Sequence, residues 1–443
     1  MDMDIKFEKK ENSENLKDKK VLVSDLGNFI FVAEKLAESF GKVFYYLPNY
    51  EICPTINKSL VGRGLKNVIP ITDMFLKDDK IGYDIDEMDM ICFPFVYDIG
   101  KQMYFAKQGK NVFGAKEGQY LELWRGSTKE LLKSLDIPVG EYESFTKFSD
   151  LREHLKKVTD KWVKKSYWRG QFESFKHEEY KLTEPQLNAI ERDLGGAKYI
   201  DDKKFLEYIV ETPLKTKNDI EIGADTYVVN GEYPKEICYG LEVKEKAYIG
   251  THCPYEELHI SMKESLEKLR PVFKEFNYQG AFSQEIRMGE DGKNYPLDLT
   301  NRMPSPNTES RTEWEENFAE NIWNVANGIV PDVKFKTKYA LQIAFYSNWA
   351  KEEEQTIYFP EKYRENIKML NHWKIDDVDY ITPIDKTTHL GYIVTYDDTI
   401  EGCIEKSKKI CEEVKGYDLE IQESAFDEVL EKVKNVKKEG INF

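Results

Sequence analysis

The 443-residue chain carries 64 Lys and Arg against 81 Asp and Glu, a net charge of −17, with 40% hydrophobic and 13% aromatic residues. That balance excludes disorder over most of the length and argues against non-specific binding to nucleic acid or to an anionic membrane. No run of about 18 apolar residues is present, and the charged opening MDMDIKFEKK has no secretory pattern, so a cytoplasmic protein is expected. Cys53, Cys92, Cys238, Cys253, Cys403 and Cys411 show no CxxC spacing, and the six histidines make no zinc pattern.

Residues 1–18 read as a polar leader. Lys20–Asp25, Val43–Leu47, Asn67–Ile71 and Met88–Phe93 are short apolar runs, and a helical pattern over Phe29–Phe40 lies between the first two. Strands alternating with helices predict a doubly wound parallel sheet, so 19–115 is expected to form an N-terminal α/β unit. Its first turn, Leu26-Gly27-Asn28, leads into a helix N-terminus, which suits an anion. A second unit is expected over 116–330. It opens with a helix near Gly118–Leu135, then Ser149–Val158, then the basic strand Lys161-Trp162-Val163-Lys164-Lys165. A lysine near the end of a buried strand either neutralises a phosphate or reaches solvent along its stem. Lys203–Val210 reads as helix or strand. Ile222–Asn230 is strand-like and ends in the hairpin signal Asn230-Gly231, and Tyr255–Arg270 is an amphipathic helix that leads through Pro271 into the next hairpin. From 331 to 443 a smaller C-terminal unit is expected, with a strand at Leu390–Tyr396, a helix starting after Asp397-Asp398, and a charged, solvated tail over Asp427–Glu439.

The stretch with most chemistry is Gly280–Glu309. Gly280–Met288 and Asn294–Thr300 read as two strands, and Asp291-Gly292 between them is the strongest short hairpin signal. Pairing across that turn brings Glu285 opposite Asp298. Two carboxylates on one face repel unless a cation sits between them, and Mg²⁺ favours one or two carboxylates together with substrate phosphates. Arg302 follows, a fork shaped for a carboxylate or phosphate. The alternative is a surface hairpin with solvated acids.

Four pieces together resemble the ATP-grasp superfamily, and within it the phosphoribosylamine–glycine ligase (glycinamide ribonucleotide synthetase) branch. They are NVFGAKEGQYLELWRGSTKELLKSLDIPVGEYESF from Asn111, the strand WVKK, the carboxylate hairpin, and HLGYIVTYDDTIEGCIEKSKKI from His389. The resemblance implies central ATP-grasp domains of α+β character after the N-terminal parallel sheet, and a small C-terminal domain. It implies ATP and Mg²⁺ as cofactors, with Mn²⁺ able to replace it, in a monomer or homodimer. On the matching positions Lys164 is the phosphate-contacting strand lysine with Lys165 beside it, and Arg125 stands where the family has its other ATP lysine. Arg169 lies in the flap, Glu211 at the hinge, and Glu221 at a second ribose-side acid. Glu285 and Asp298 fall on the metal carboxylates, with Asn301 as a further metal ligand because Thr300 replaces the family's asparagine. Arg302 falls beside the acyl-phosphate site, so Arg302 and Lys164 carry the catalytic expectation.

The implied reaction joins a small carboxylate, such as an amino acid, to an amine through an acyl phosphate. Glycine with phosphoribosylamine and an amino acid with a different amine on a nucleotide or sugar both remain open. So does a catalytically inactive relative serving as a nucleotide-binding or sensor protein. The bulky flap Ser166-Tyr167-Trp168-Arg169-Gly170-Gln171, the Asp at 298, and the sequence Met303-Pro304-Ser305-Pro306 after Arg302 depart from the family pattern. They point to an acceptor half that has been rebuilt.

Overall fold

The computed structural model describes residues 15–48, 57–166, 173–195, 206–383 and 387–443. The first sheet is parallel throughout, with order β3-β2-β1-β4-β5. Its strands are β1 (Lys20–Ser24), β2 (Lys42–Tyr46), β3 (Val68–Ile71), β4 (Met90–Cys92) and β5 (Asn111–Phe113). Both faces are covered, so its strands carry near-continuous apolar runs. Val21 and Val23 pack with helix α1 (Ile30–Ser39) on one side, while Leu22 joins Phe44, Tyr83 and Phe105 of α2 (Ile99–Lys107) on the other. The doubly wound parallel sheet expected from the sequence is present.

After β5 the expected single helix is broken. Helix α3 (Tyr120–Leu123) stops at Trp124 (φ −114°, ψ 74°), and α4 (Arg125–Ser134) starts again in a new direction. A small antiparallel sheet of order β6-β9-β7-β8 follows, from β6 (Tyr142–Phe145), β7 (Lys161–Lys165), β8 (Ser174–His177) and β9 (Tyr208–Glu211). Helices α5 (Phe148–Leu155) and α6 (Tyr180–Asp193) close one face of it over Val163, Phe175 and Tyr208.

The large antiparallel sheet has nine strands. Its main path is β14-β13-β10-β11-β12-β15-β20-β17, and β22 pairs with β15. The ranges are β10 (Thr216–Val229), β11 (Glu236–Val243), β12 (Ala247–Pro254), β13 (Gln279–Gly289), β14 (Asn294–Thr300), β15 (Tyr339–Ser347), β17 (Ile367–Met369), β20 (His389–Asp397) and β22 (Leu419–Ile421). A fourth sheet of order β18-β19-β16-β21 joins β16 (Gln355–Tyr358), β18 (His372–Ile375), β19 (Val378–Ile381) and β21 (Lys415–Gly416). Asn230 (φ 51°) and Gly231 (φ 87°) both take the left-handed conformation that the turn after β10 requires, as the Asn-Gly pair predicts.

Two expectations are corrected here. Helix α7 (Ile260–Glu275) does not end at Arg270 but continues past Pro271. Val272 and Phe273 are buried in the main core, and that burial outweighs a proline cost of about 3 kcal/mol. The tail is not a solvated segment: it forms α11 (Ala425–Lys438), whose Val429, Val433 and Val436 are buried in the same core. Helices α8 (Thr308–Trp314), α9 (Phe318–Ala326) and α10 (Ile400–Glu413) complete the described helices. None of the described helices is long and apolar enough to cross a membrane.

Candidate active site

A cleft of about 500 Å³ lies between the small sheet, α4 and the β13–β14 hairpin. The hairpin closes as its sequence dictates: Gly292 turns at φ +81°, and the Gly289 amide donates to the Lys293 carbonyl at 2.8 Å. The register then sets Glu285 directly opposite Asp298, with a bulge immediately after that pair. Both carboxylates line the cleft.

Three cations share the cleft with them. Arg125, at the start of α4, forks between Asp298 and Glu173, the latter at 2.7 Å. Lys164 on β7 reaches Asp298 Oδ2 at 3.1 Å and Glu211 Oε2 at 3.5 Å. Lys129, one helical turn after Arg125, reaches the other Glu211 oxygen at 2.5 Å. Burial lowers the Lys164 ammonium, but Asp298 and Glu211 more than reverse this, so it stays charged well into alkaline conditions. Glu211 is likewise held below the usual carboxylate range: burial raises it, and Lys164 and Lys129 outweigh burial. Glu285 behaves in the opposite way. Burial and then the negative charges of Glu221, Asp298 and Glu242 push its carboxyl well up, with Lys244 as the opposing influence.

Beside the charged cleft lies a smaller recess with apolar walls from Trp162, Pro213, Leu214, Pro296 and Leu297. Glu221 lines this recess and is paired to Arg287 at 2.6 Å. At the far wall of the main cleft, Arg302 donates from Nε to Glu122 at 3.0 Å and from a terminal nitrogen to the Met303 carbonyl at 3.1 Å. Glu122 is buried at the end of α3, and its second oxygen accepts the Asn301 amide at 2.7 Å, so it fixes both the chain direction and the Arg302 fork.

Lys164, Arg125, Glu211, Glu285, Asp298 and Arg302 are therefore brought together, and Glu221 sits beside Glu285. Lys165 and Asn301 are not brought in, and Arg169 lies outside the described residues. Successive strand residues face opposite ways, so Lys165 shares the Val163 face under α5 and α6, where burial brings its ammonium down to about 7. Asn301 follows the last residue of β14 and turns inward: it is buried, and its side-chain nitrogen donates to the Leu299 carbonyl at 3.0 Å. It does not stand with Glu285 and Asp298 as a metal ligand, whereas Thr300 lines the cleft. The anion cradle expected at the first βα turn is also corrected. Asp25 fills it with its own carboxylate, accepting from the amides of Leu26 (2.5 Å), Gly27 (3.0 Å) and Phe29 (2.8 Å) and from Tyr45 at 2.8 Å. Asn371 covers the turn so closely that a Cβ on Gly27 would lie 1.5 Å from its amide oxygen.

Sequence reasoning missed Lys129 and Glu122 as site residues. The signal for Lys129 was its i,i+4 spacing from Arg125 in a helix; none marked Glu122 as the anchor of Arg302.

The opposed carboxylates of Glu285 and Asp298, where the acids around Glu285 outweigh Lys244, suit a hard divalent cation. Among the described residues no group of three or more His, Cys, Asp or Glu side chains is arranged to hold one. A bound ion would draw its other ligands from phosphate or water, as Mg²⁺ usually does.

No protein-family model and no curated protein matches the sequence. Solved structures do match over nearly the whole chain. Phosphoribosylamine–glycine ligase from Thermotoga maritima superposes with a TM-score of 0.68 at 17% identity, covering 91% of this chain and 99% of that one. The chain has the ATP-grasp fold. The biotin carboxylase domain of 2-oxoglutarate carboxylase from Hydrogenobacter thermophilus, solved with MgADP, ADP and bicarbonate, gives 0.63 at 12% identity, covering 92% and 94%. N5-carboxyaminoimidazole synthetase from Staphylococcus aureus gives 0.56 at 14%, covering 90% and 99%. The parallel sheet, the small sheet carrying Lys164 and the hairpin sheet are thus parts of one ATP-grasp architecture, as the sequence resemblance implied.

Proposed function

We propose that the protein is an ATP- and Mg²⁺-dependent carboxylate–amine ligase that makes an amide through an acyl phosphate. The observation that carries this reading is the gathering of Arg125, Lys129 and Lys164 in one cleft with the Glu285–Asp298 pair, Arg125 and Lys164 on Asp298 and Lys129 on Glu211, beside an apolar recess. The solved relative with MgADP supports the same cofactors for this chain. In this reading the adenine enters the recess near Trp162 and Leu214, and Glu211 sits by the ribose. Lys129, Lys164 and Arg125 leave their carboxylate partners to hold phosphate oxygens. Glu285 and Asp298 would hold Mg²⁺, which neutralises charge developing on the transferred phosphoryl group. Arg302, held at a fixed angle by Glu122, receives the substrate carboxylate and then the acyl phosphate. The protein's contribution is then positioning and charge neutralisation. We propose residues 19–115, 116–330 and 331–443 as the N-terminal, nucleotide-binding and C-terminal units of a cytoplasmic enzyme.

A second reading, a nucleotide-binding sensor without ligase activity, is favoured by Asn301 turning out of the carboxylate pair. One experiment separates the two: phosphate release from ATP with Mg²⁺ across the amino acids, each with and without a panel of amines. The ligase requires release that depends on one carboxylate and one amine, and loss of that release in Glu285→Ala with the fold intact. ATP binding with no release anywhere in the panel supports the sensor.

A further inference from the structure

Amide formation needs a base, because the free amine that attacks must lose one proton from nitrogen as it bonds to the acyl carbon. The sequence offered none. The segment after Arg302 supplies one. Ser305 is exposed on the cleft, and its hydroxyl donates to Glu309 Oε1 at 2.5 Å. Glu309 is 0% exposed, in the first turn of α8. Its other oxygen accepts from Gln342 Nε2 on β15 at 3.1 Å. A buried carboxylate is thereby connected to the cleft through a single hydroxyl.

We propose that Ser305 and Glu309 form the proton relay of the amine half-reaction. This rests on the ligase reading above. As the amine nitrogen bonds to the acyl carbon, the carbon–oxygen bond to phosphate breaks and phosphate leaves with the electron pair. Ser305 Oγ takes the proton from nitrogen while passing its own to Glu309, and the proton returns through Ser305 to water once product has left. Ser305 is the group that touches the substrate, and Glu309 acts through it as a positioning residue and proton store.

The electrostatics suit that task. Burial raises the Glu309 carboxyl to about 7, opposed by the Ser305 and Gln342 hydrogen bonds and by the Arg302 charge. The Tyr392 phenol on β20 also faces the pair; burial and then the negative charge of Glu309 push it well above its ordinary value, so it stays neutral. A base near 7 both accepts and returns a proton at neutral pH.

The test uses the full chain with ATP, Mg²⁺, the amino acids, and hydroxylamine as the amine probe. Two steps are read: amino-acid-dependent isotope exchange between ADP and ATP reports the acyl phosphate, and hydroxamate reports aminolysis. In Glu309→Gln the exchange should stay within about threefold of wild type while hydroxamate falls on the order of 10²- to 10⁴-fold. The wild-type rise in hydroxamate rate through pH 7 should also disappear. Ser305→Ala, which leaves Glu309 packed against Gln342, should show the same split, and Glu309→Asp should recover part of the rate. Without any substrate, an infrared titration should show a protonated carboxyl near pH 7 that is missing from Glu309→Gln. Equal loss of both steps, or an unchanged hydroxamate rate and pH profile, overturns the relay. Silence of the wild type in both steps overturns the ligase reading, and the relay with it. The infrared result would still say whether Glu309 titrates, so the two failures are distinguishable.

Discussion

Lys164 and Lys165 are adjacent in sequence and chemically identical, yet strand alternation gives them different surroundings. Lys164 faces Asp298 and Glu211, whereas Lys165 faces the α5–α6 side. Lys164→Ala should therefore raise the Kd for MgATP at least about tenfold, roughly 1.4 kcal/mol, while Lys165→Ala changes it less than about twofold. Isothermal titration with a non-hydrolysable analogue reads both, and equal losses would contradict the assignment. Lys129→Met should resemble Lys164→Ala, because the two share one carboxylate. The candidate site was legible where two carboxylates meet at a backbone-fixed spacing, as with Glu285 facing Asp298 across the Asp291-Gly292 turn. It was not legible for Glu122, which meets Arg302 only after 180 residues of chain have folded back.

At the scale of elements, hydrophobic periodicity and turn chemistry predicted four of the five strands of the parallel sheet and the hairpin within a residue or two, gave no strand for Asn111–Phe113, and misread the last helix. The segment Ala425–Lys438 is rich in lysine and acid, but Val429, Val433 and Val436 recur at helical spacing beneath that charge. The Tyr239 hydroxyl also binds the Asn442 carbonyl, and Phe443 is buried. Phe426→Ala on this helix should cost about 3–5 kcal/mol of stability, measured by urea unfolding. A cost below about 1 kcal/mol would show that the tail is peripheral after all. The break at Trp124 was hidden for a different reason. No proline or glycine marks position 124 itself, so no local signal stops the helix there.

Across the whole molecule, one buried cluster ties the N-terminal unit to the fourth sheet. His372 on β18 lies between Glu34 of α1 at 3.2 Å and Asp379 of β19 at 2.8 Å, and Arg364 grips the same Asp379 with two bonds. Burial lowers the imidazole, but Glu34 and Asp379 reverse this and hold it at about 9, against an ordinary value of 6.5. A raised pKa contributes stability that is complete below about pH 6.5 and is lost as pH climbs through about 9. The melting temperature should therefore fall across that window, and His372→Asn should flatten the fall while lowering stability at pH 6. A wild-type curve that is flat between these limits would contradict the cluster's charge.

The sequence by itself determined the secondary-structure alternation, the carboxylate hairpin and its register, and the basic strand, because each rests on local periodicity and turn chemistry. It also carried enough of the family pattern to imply the ATP-grasp fold. Tertiary structure alone decided which face of β7 meets the cleft, that Asp25 plugs the first βα turn, that Asn301 turns inward, and that Ser305 connects Glu309 to the cleft. Those outcomes depend on contacts between residues distant in the chain and on the loss of water around them. No local pattern encodes either.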